Sequence, residues 1–177
     1  FFDVGIAEEH AVTFAAGMAK AGLKPVFAVY SSFLQRAYDQ VLHDVCAQNL
    51  PVVFAVDRAG LVGKDGATHQ GIFDLSYLSS IPNLTVMAPK NKWELSDMLK
   101  YAIAAEEPMA IRYPRGEACD LWKDQRAPIK KGCAEVLAEG TEVALFAIGS
   151  MVETAWQVKN KLAEKGISAT VVNARFA

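Results

Sequence analysis

Residues 51–71 read PVVFAVDRAGLVGKDGATHQG. The first six residues are almost continuously apolar, which is typical of a parallel strand that is covered on both faces. The remainder is a loop with four glycines, and loops of this length are uncommon and tend to carry function. Because parallel α/β sheets bind ligands at the carboxyl ends of their strands, this stretch predicts an α/β fold with a site in the loop.

Strand and helix patterns alternate on both sides of this stretch. Apolar β-rich runs predict strands at residues 25–30, 84–88 and 109–113, and helical spacing of apolar residues predicts helices at 7–21, 33–48 and 92–105. Such alternation is typical of βαβ units on a parallel sheet. We therefore expect the ends of the strands at residues 30, 57 and 113 to face one crevice.

A second, shorter α/β unit follows a polar and irregular stretch at residues 117–131. The pattern predicts strands at 134–138, 143–148 and 167–173, with a Glu139-Gly140 turn between the first two. Ser150 is a plausible N-cap for a helix that ends at Gly166. We divide the chain into a first domain (1–120), a linker (121–131) and the start of a second domain (132–177). The chain lacks an initiator Met and both ends interrupt a pattern, so we expect a fragment of a longer protein.

Composition excludes several classes of protein. Apolar residues make up 52% of the chain, which is ample for a core and argues against disorder. The net charge of −2 gives no reason to expect nucleic acid or an anionic membrane as a partner. No apolar run approaches the ~20 residues needed to cross a bilayer. Three widely spaced cysteines without a CxxC pair indicate reduced structural thiols, and no signal-peptide pattern is present, so we expect a cytoplasmic protein.

Three parts of the sequence carry residues suited to chemistry. Glu8 begins a largely apolar helix, where it either caps the helix or holds a proton against a ring nitrogen in a dry cleft. Tyr30 stands at a junction of strand and helix, where an aromatic ring belongs to the core or stacks on a planar ligand. In the loop, Asp65 and His69 are candidates for a hydrogen-bonding pair, and His suits proton transfer near neutral pH. The loop glycines are spaced GxxGxxG, which gives little support to a nicotinamide site.

Arginines are the remaining candidates. Arg36, Arg58 and Arg115 are either scattered surface residues or a pocket whose planar guanidinium groups bind a substrate phosphate. Arg112 and Arg115 flank Pro114 in a rigid turn at a strand end.

Five motifs, taken in order and at these spacings, resemble the 1-deoxy-D-xylulose-5-phosphate synthases of the transketolase-like thiamine-diphosphate superfamily. They are IAEEHAVT (6–13), SFLQRAYDQ (32–40), DRAG (57–60), DGATHQG (65–71) and RYPRG (112–116). The resemblance implies a parallel-sheet pyrimidine-binding domain followed by part of a C-terminal α/β domain. It matches Glu8 to the glutamate that hydrogen-bonds the cofactor's aminopyrimidine ring, and Phe33 to the aromatic residue that stacks on that ring. Residues matched to the substrate pocket are Tyr30, Arg36, Arg58, Asp65, His69 and Arg115, with Asp65 and His69 beside the reacting carbonyl groups.

The activity implied by the resemblance is the condensation of pyruvate with glyceraldehyde 3-phosphate, with loss of carbon dioxide, in isoprenoid precursor, thiamine and pyridoxal biosynthesis. The family is expected to act as a homodimer with thiamine diphosphate and magnesium. Its diphosphate and magnesium site is a GDG…N motif in an N-terminal domain, and no such motif occurs in this chain. We therefore expect no metal ligands in this chain and no activity from it alone.

Two alternatives stay open. The domain is shared with other transketolases and with pyruvate dehydrogenase beta subunits, which use the same glutamate. A non-catalytic module of the same fold is the other alternative, although the joint presence of Glu8, Phe33 and His69 speaks against it.

Overall fold

The computed structural model describes all 177 residues and separates into two compact units. The first unit contains Phe1–Val86 and Leu99–Arg115, and the second contains Met87–Met98 and Gly116–Ala177. The linear division at residues 120 and 132 stays a prediction, since the second unit also takes in a segment from the middle of the chain.

The first unit is built on a four-stranded sheet with the order β1-β2-β4-β3. Its strands are β1 (Val26–Tyr30), β2 (Val53–Asp57), β3 (Thr85–Met87) and β4 (Met109–Arg112). β2 lies parallel to both β1 and β4, and Val53 is in register with Val26 and Met109. The predicted parallel α/β fold is confirmed, and the carboxyl ends of β1, β2 and β4 lie at one edge.

Helix α1 (Glu8–Lys20) covers this sheet with its small apolar face. Val12, Ala15, Ala16 and Ala19 of α1 belong to the same core cluster as Phe54 of β2. Burial of this face stabilises the helix. Gly22 lies just after the end of the helix and has a φ of +88°, a value that favours glycine.

None of the helices in the structure is long and apolar enough to cross a membrane.

The helical segment at residues 31–46 differs from the single amphipathic helix predicted for 33–48. It begins two residues earlier and changes its winding three times: α2 (Ser31–Leu34), a 3₁₀ turn (Gln35–Ala37), α3 (Tyr38–Gln40) and a π-helix (Val41–Cys46). Its buried apolar residues Leu34, Ala37, Val41 and Val45 stay on the core side throughout. Core packing therefore decides the winding, which local periodicity does not reveal.

The loop after β2 has more structure than the sequence indicates. It contains two 3₁₀ turns, Gly63–Asp65 and Ala67–His69, and it is closed at its base by hydrogen bonds between Gly60 and Gly71. A short helix, α4 (Asp74–Ser79), follows the loop and was not predicted. Its six residues are too few to show a helical period.

The second unit contains β5 (Glu135–Ala138), β6 (Val143–Ala147), α6 (Met151–Ala163) and β7 (Ala169–Asn173). β7 lies between the other two strands, antiparallel to β5 and parallel to β6, so the strands on either side of the Glu139-Gly140 turn are not neighbours. Ser150 precedes α6, but its side chain makes no capping hydrogen bond, so the predicted cap is wrong in that respect. Helix α5 (Lys92–Ala104) begins among residues of the second unit.

A buried group of charges holds the second unit together. The Lys90 ammonium group contacts the carboxylates of Glu94 and Glu135, and Arg175 donates to Glu94 over 2.8 Å. Asn173 donates to both carboxylates. Two cations balance two anions here, so each buried charge has a partner, as burial of charge requires.

Candidate functional site

Glu8 lies in the first turn of α1 and is buried, with 8% of its surface exposed. Its Oε1 accepts a hydrogen bond from Nη1 of Arg36 over 2.9 Å. Its Oε2 is also buried and has no partner. One oxygen of this carboxylate is thus held by a cation, while the other remains available as an acceptor.

Phe33 lies at the centre of an aromatic group that joins α2 to the loop. The rings of Tyr30 and Phe33 are stacked, with centroids 5.5 Å apart. The ring of His69 meets Phe33 edge-on, with centroids 5.0 Å apart. His69 is held on its other side by Thr68, whose hydroxyl is 2.9 Å from Nδ1. The predicted residues Tyr30, Phe33 and His69 are therefore brought together.

Glu8 and Phe33 both line a cavity of about 630 Å³. Its other walls come from the first residues of the chain, from the side of α1 that carries Phe14 and Met18, and from strand β1. A largely apolar cavity with a few polar groups is the usual form of a small-molecule site. A planar ligand with hydrogen-bonding groups suits this lining.

Arg58, Asp65 and Arg115 form the second polar group of the site. The Asp65 carboxylate pairs with Nη1 of Arg58, and it forms an ion pair with Arg115, whose Nη1 lies 3.0 Å from Oδ1. The Arg58 guanidinium lies 4.3 Å from the centre of the Tyr30 ring and donates to the Tyr30 hydroxyl over 3.0 Å. This hydrogen bond, together with the charge of Asp65, raises the pKa of Arg58 above its ordinary value. The arrangement presents two cations and one anion beside the aromatic group.

Arg36 is placed apart from the other two predicted phosphate ligands. It contacts Glu8 and Phe33, while Arg58 and Arg115 share Asp65. A phosphate pocket made of all three arginines stays a prediction.

Arg112, which precedes the Pro114 turn, has a structural role that the sequence did not indicate. Its Nε donates to Oδ2 of the buried Asp74 over 2.7 Å, and its Nη2 lies 3.3 Å from Oδ1. From the same helix α4, the Tyr77 hydroxyl donates to the backbone carbonyl of Ser31 over 2.9 Å. Burial raises the pKa of Tyr77 well above its usual range. These bonds tie α4, which follows the loop, to β4 and to the start of α2. No sequence pattern identified Asp74.

Unpartnered buried polar atoms are concentrated at this edge. Four of them are Glu8 Oε2, Ser31 Oγ, Ser32 Oγ and Arg58 Nε. Buried polar atoms are normally satisfied, so their concentration here indicates a place where water or a ligand completes the hydrogen bonding. The His, Cys, Asp and Glu side chains form no group able to hold a metal ion.

Two known domain families match the sequence of this chain. The sequence profile of the transketolase pyrimidine-binding domain matches residues 1–120, and that of the transketolase C-terminal domain matches residues 132–177. The chain belongs to the transketolase family. Two curated relatives of this transketolase-family chain are 1-deoxy-D-xylulose-5-phosphate synthases, from Lachnoclostridium phytofermentans (64% identical) and Geobacter sulfurreducens (62% identical). Each match covers 99% of the chain, and the chain spans 28% of the length of either relative.

Solved structures show the same fold. One is a split-gene transketolase, an inactive beta4 tetramer, which is 31% identical to this chain with a TM-score of 0.90. The match covers 99% of this chain and 57% of the transketolase chain. The transketolase of Campylobacter jejuni has a TM-score of 0.88 over 99% of this chain and 28% of its own, at 24% identity. The second likeness shows the fold alone.

Proposed function

We propose that this chain is the part of a 1-deoxy-D-xylulose-5-phosphate synthase in which Glu8 and Phe33 bind the aminopyrimidine ring of thiamine diphosphate. The reaction proposed is the condensation of pyruvate with glyceraldehyde 3-phosphate, with loss of carbon dioxide. Its product would serve isoprenoid precursor, thiamine and pyridoxal biosynthesis. Three observations support the proposal: the chain belongs to the transketolase family, relatives named 1-deoxy-D-xylulose-5-phosphate synthase are 58–64% identical to it, and the site has the required residues.

The free oxygen of Glu8 is the observation that carries the proposal. Oε2 is buried and unpartnered, and Glu8 shares the cavity with the ring of Phe33. An aminopyrimidine ring offers a planar face to an aromatic side chain and a ring nitrogen to a carboxyl group. The residues present therefore fit this half of the cofactor.

The chain's own residues have separate tasks in the proposal. Thiamine diphosphate, when bound, supplies the nucleophilic carbon and the electron sink that decarboxylation requires. Glu8 exchanges a proton with the ring at Oε2, and Phe33 orients the ring by stacking. Glu8 is buried, and burial strengthens the interaction between its carboxyl group and the ring.

The polar group around Asp65 is proposed to bind the second substrate. Arg58 and Arg115 carry the positive charge that the phosphate of glyceraldehyde 3-phosphate requires, in the planar form that suits two-point hydrogen bonding. Tyr30 contacts both Arg58 and Phe33, and the ring of His69 lies beside those of Tyr30 and Phe33. The hydrogen-bonding atoms of Tyr30 and His69 are proposed to face the carbonyl groups of the substrates. Asp65 orders the two arginines by pairing with both.

The rest of the proposal concerns the longer protein. The cofactor's diphosphate and a magnesium ion are assigned to residues outside this chain, because no GDG motif is present within it. A homodimer located in the cytoplasm is proposed on the resemblance carried by the five motifs. A transketolase or a pyruvate dehydrogenase beta subunit is the alternative, and 31% identity to a solved transketolase against 58–64% to the synthases favours the synthase.

The experiment that tests the proposal compares Glu8 with its neighbour Glu9, which is exposed on the same helix. In the full-length protein, Glu8→Gln should nearly abolish thiamine-diphosphate-dependent release of carbon dioxide from pyruvate, whereas Glu9→Gln should leave it near normal. Mass spectrometry of the product from pyruvate and glyceraldehyde 3-phosphate identifies the reaction. Near-normal turnover by Glu8→Gln would remove the proposed role of Glu8, and no decarboxylation by the unmodified protein would favour a non-catalytic module.

A further inference from the structure

Arg36 contacts both residues that the proposed function assigns to the pyrimidine ring. Its Nη1 lies 2.9 Å from Oε1 of Glu8, and the central carbon of its guanidinium group lies 4.8 Å from the centre of the Phe33 ring. One side chain therefore bridges the carboxylate on α1 and the aromatic ring on α2.

The helical spacing of the two residues explains the second contact. Phe33 lies in α2, and Arg36 lies three positions later in the 3₁₀ turn Gln35–Ala37. Side chains three residues apart lie on the same face of both kinds of helix. This spacing places the guanidinium group over the Phe33 ring, from which it also reaches Glu8.

We infer that Arg36 is a positioning residue for Glu8 that holds Oε1 and leaves Oε2 to the pyrimidine ring. The inference rests on the proposed function of Glu8 and Phe33. It assigns Arg36 to the cofactor side of the site, whereas the sequence motif had suggested a substrate phosphate. The division of the carboxylate into one paired and one unpaired oxygen supports it.

Exposure separates this role from a purely structural one. The Arg36 side chain is 49% exposed and the Glu8 side chain 9% exposed. Ion pairs with one half-exposed partner contribute little to stability, because water screens them. Because Arg36 is half exposed, its loss opens the Glu8 carboxylate to water, so the fold should lose less stability than it would on loss of a fully buried partner, and the carboxylate becomes free to rotate.

The test uses the full-length protein and the probe 4-amino-5-hydroxymethyl-2-methylpyrimidine, which has the ring without the diphosphate. Arg36→Met keeps the length of the side chain but removes its charge and donors, and Arg36→Lys restores a cation within reach of Glu8. Binding is measured by NMR titration, and thermal unfolding checks the fold of each variant. Arg126→Met, in an exposed arginine that pairs with Asp97 in the second unit, is the matched control.

The inference predicts about fivefold weaker probe binding by Arg36→Met, the factor that corresponds to ~1 kcal/mol. Arg36→Lys should recover at least half of that loss on a logarithmic scale, and Arg126→Met should bind as the unmodified chain does. Equal or tighter binding by Arg36→Met, with Phe33→Leu and Glu8→Gln still weakening the probe, would overturn the inference and leave the proposed function standing. Absence of probe binding by the unmodified chain and by all variants would count against both.

Discussion

Gly71 lies so close to Ser31 that a Cβ atom added to Gly71 would stand 2.6 Å from the Ser31 hydroxyl oxygen. The same atom would stand 2.3 Å from the backbone carbonyl oxygen of Arg58, the residue that directly follows β2. Gly71 also closes the base of the loop by hydrogen bonds to Gly60. The absence of a side chain at this position thus allows the loop with Asp65 and His69 to lie against the start of α2.

Gly71→Ala should therefore destabilise the first unit by about 1–3 kcal/mol, because overpacking of this size forces the backbone to shift. Gly17→Ala is the matched control, since Gly17 lies within α1 and has nothing within 4 Å of its added Cβ. That change should raise the free energy of unfolding by about 0.5–1 kcal/mol. Urea unfolding of both variants measures the difference, and equal effects would show that the loop tolerates a side chain at its base.

Asp74→Ala should destabilise the fold by about 3–5 kcal/mol, because it leaves the largely buried Arg112 guanidinium without its partner. The pair joins β4 to the residues that follow the loop. Asp120→Ala breaks the exposed pair with Lys92 and should change little. Denaturant unfolding of the two variants is the measurement, and a small loss for Asp74→Ala would contradict a structural role for Arg112.

Thr13→Val should change how stability depends on pH. The Thr13 hydroxyl donates to Oδ2 of Asp44 over 2.6 Å and holds the pKa of that carboxyl below its ordinary 3.8. A carboxyl group whose pKa is depressed in the folded state stabilises the fold at pH values above its ordinary pKa. This stabilisation is lost as the pH falls through the folded-state pKa. At about pH 7, the free energy of unfolding of the variant should be lower than that of the unmodified chain by under about 1 kcal/mol. On acidification, the free energy of unfolding should fall less for the variant than for the unmodified chain.

Thermal unfolding at about pH 7 and pH 2.5 measures this difference. Thr154→Val, at an exposed position of α6, is the control and should leave the pH dependence unchanged. A parallel loss for Thr13→Val at both pH values would show that the hydroxyl acts through packing.

The three cysteines should differ in their rates of alkylation. Burial raises the pKa of Cys46 to about 12, and burial also raises the pKa of Cys119. Cys133 is exposed. Since the thiolate is the reactive form, iodoacetamide at about pH 8 should modify Cys133 first and Cys46 only after unfolding. Peptide mass spectrometry over time follows the three sites, and early modification of Cys46 would show that the π-helix opens readily.

Under the proposed function, Arg115→Ala and Arg36→Met should affect different steps in the full-length protein. Arg115 lies with Arg58 and Asp65, so its loss should raise the KM for glyceraldehyde 3-phosphate about tenfold or more, the cost of one charged hydrogen bond. Pyruvate decarboxylation should change far less. Arg36→Met should instead raise the concentration of thiamine diphosphate required for half-maximal rate. Equal losses in both steps for Arg115→Ala would argue against a phosphate contact.

Local sequence pattern was sufficient for the strands and for most of the helices. Continuous apolar runs identified β2 and β4, and the spacing of Ala11, Ala15 and Met18 identified α1, because both patterns depend on residues close in the chain. The same locality explains the failures. Helix α4 is too short to show a period, and the order β5-β7-β6 depends on a pairing that brings the last strand between two earlier ones.

The candidate site divides in the same way. The five sequence motifs were sufficient to identify Glu8, Phe33, His69 and Arg115 as candidate site residues and to indicate the family. Tertiary structure decided which of these side chains meet: Arg36 pairs with Glu8 across 28 residues of chain, and Arg112 pairs with Asp74 across 38. Such pairs follow from the packing of helices against a sheet, and the residues between them leave no periodic trace in the sequence.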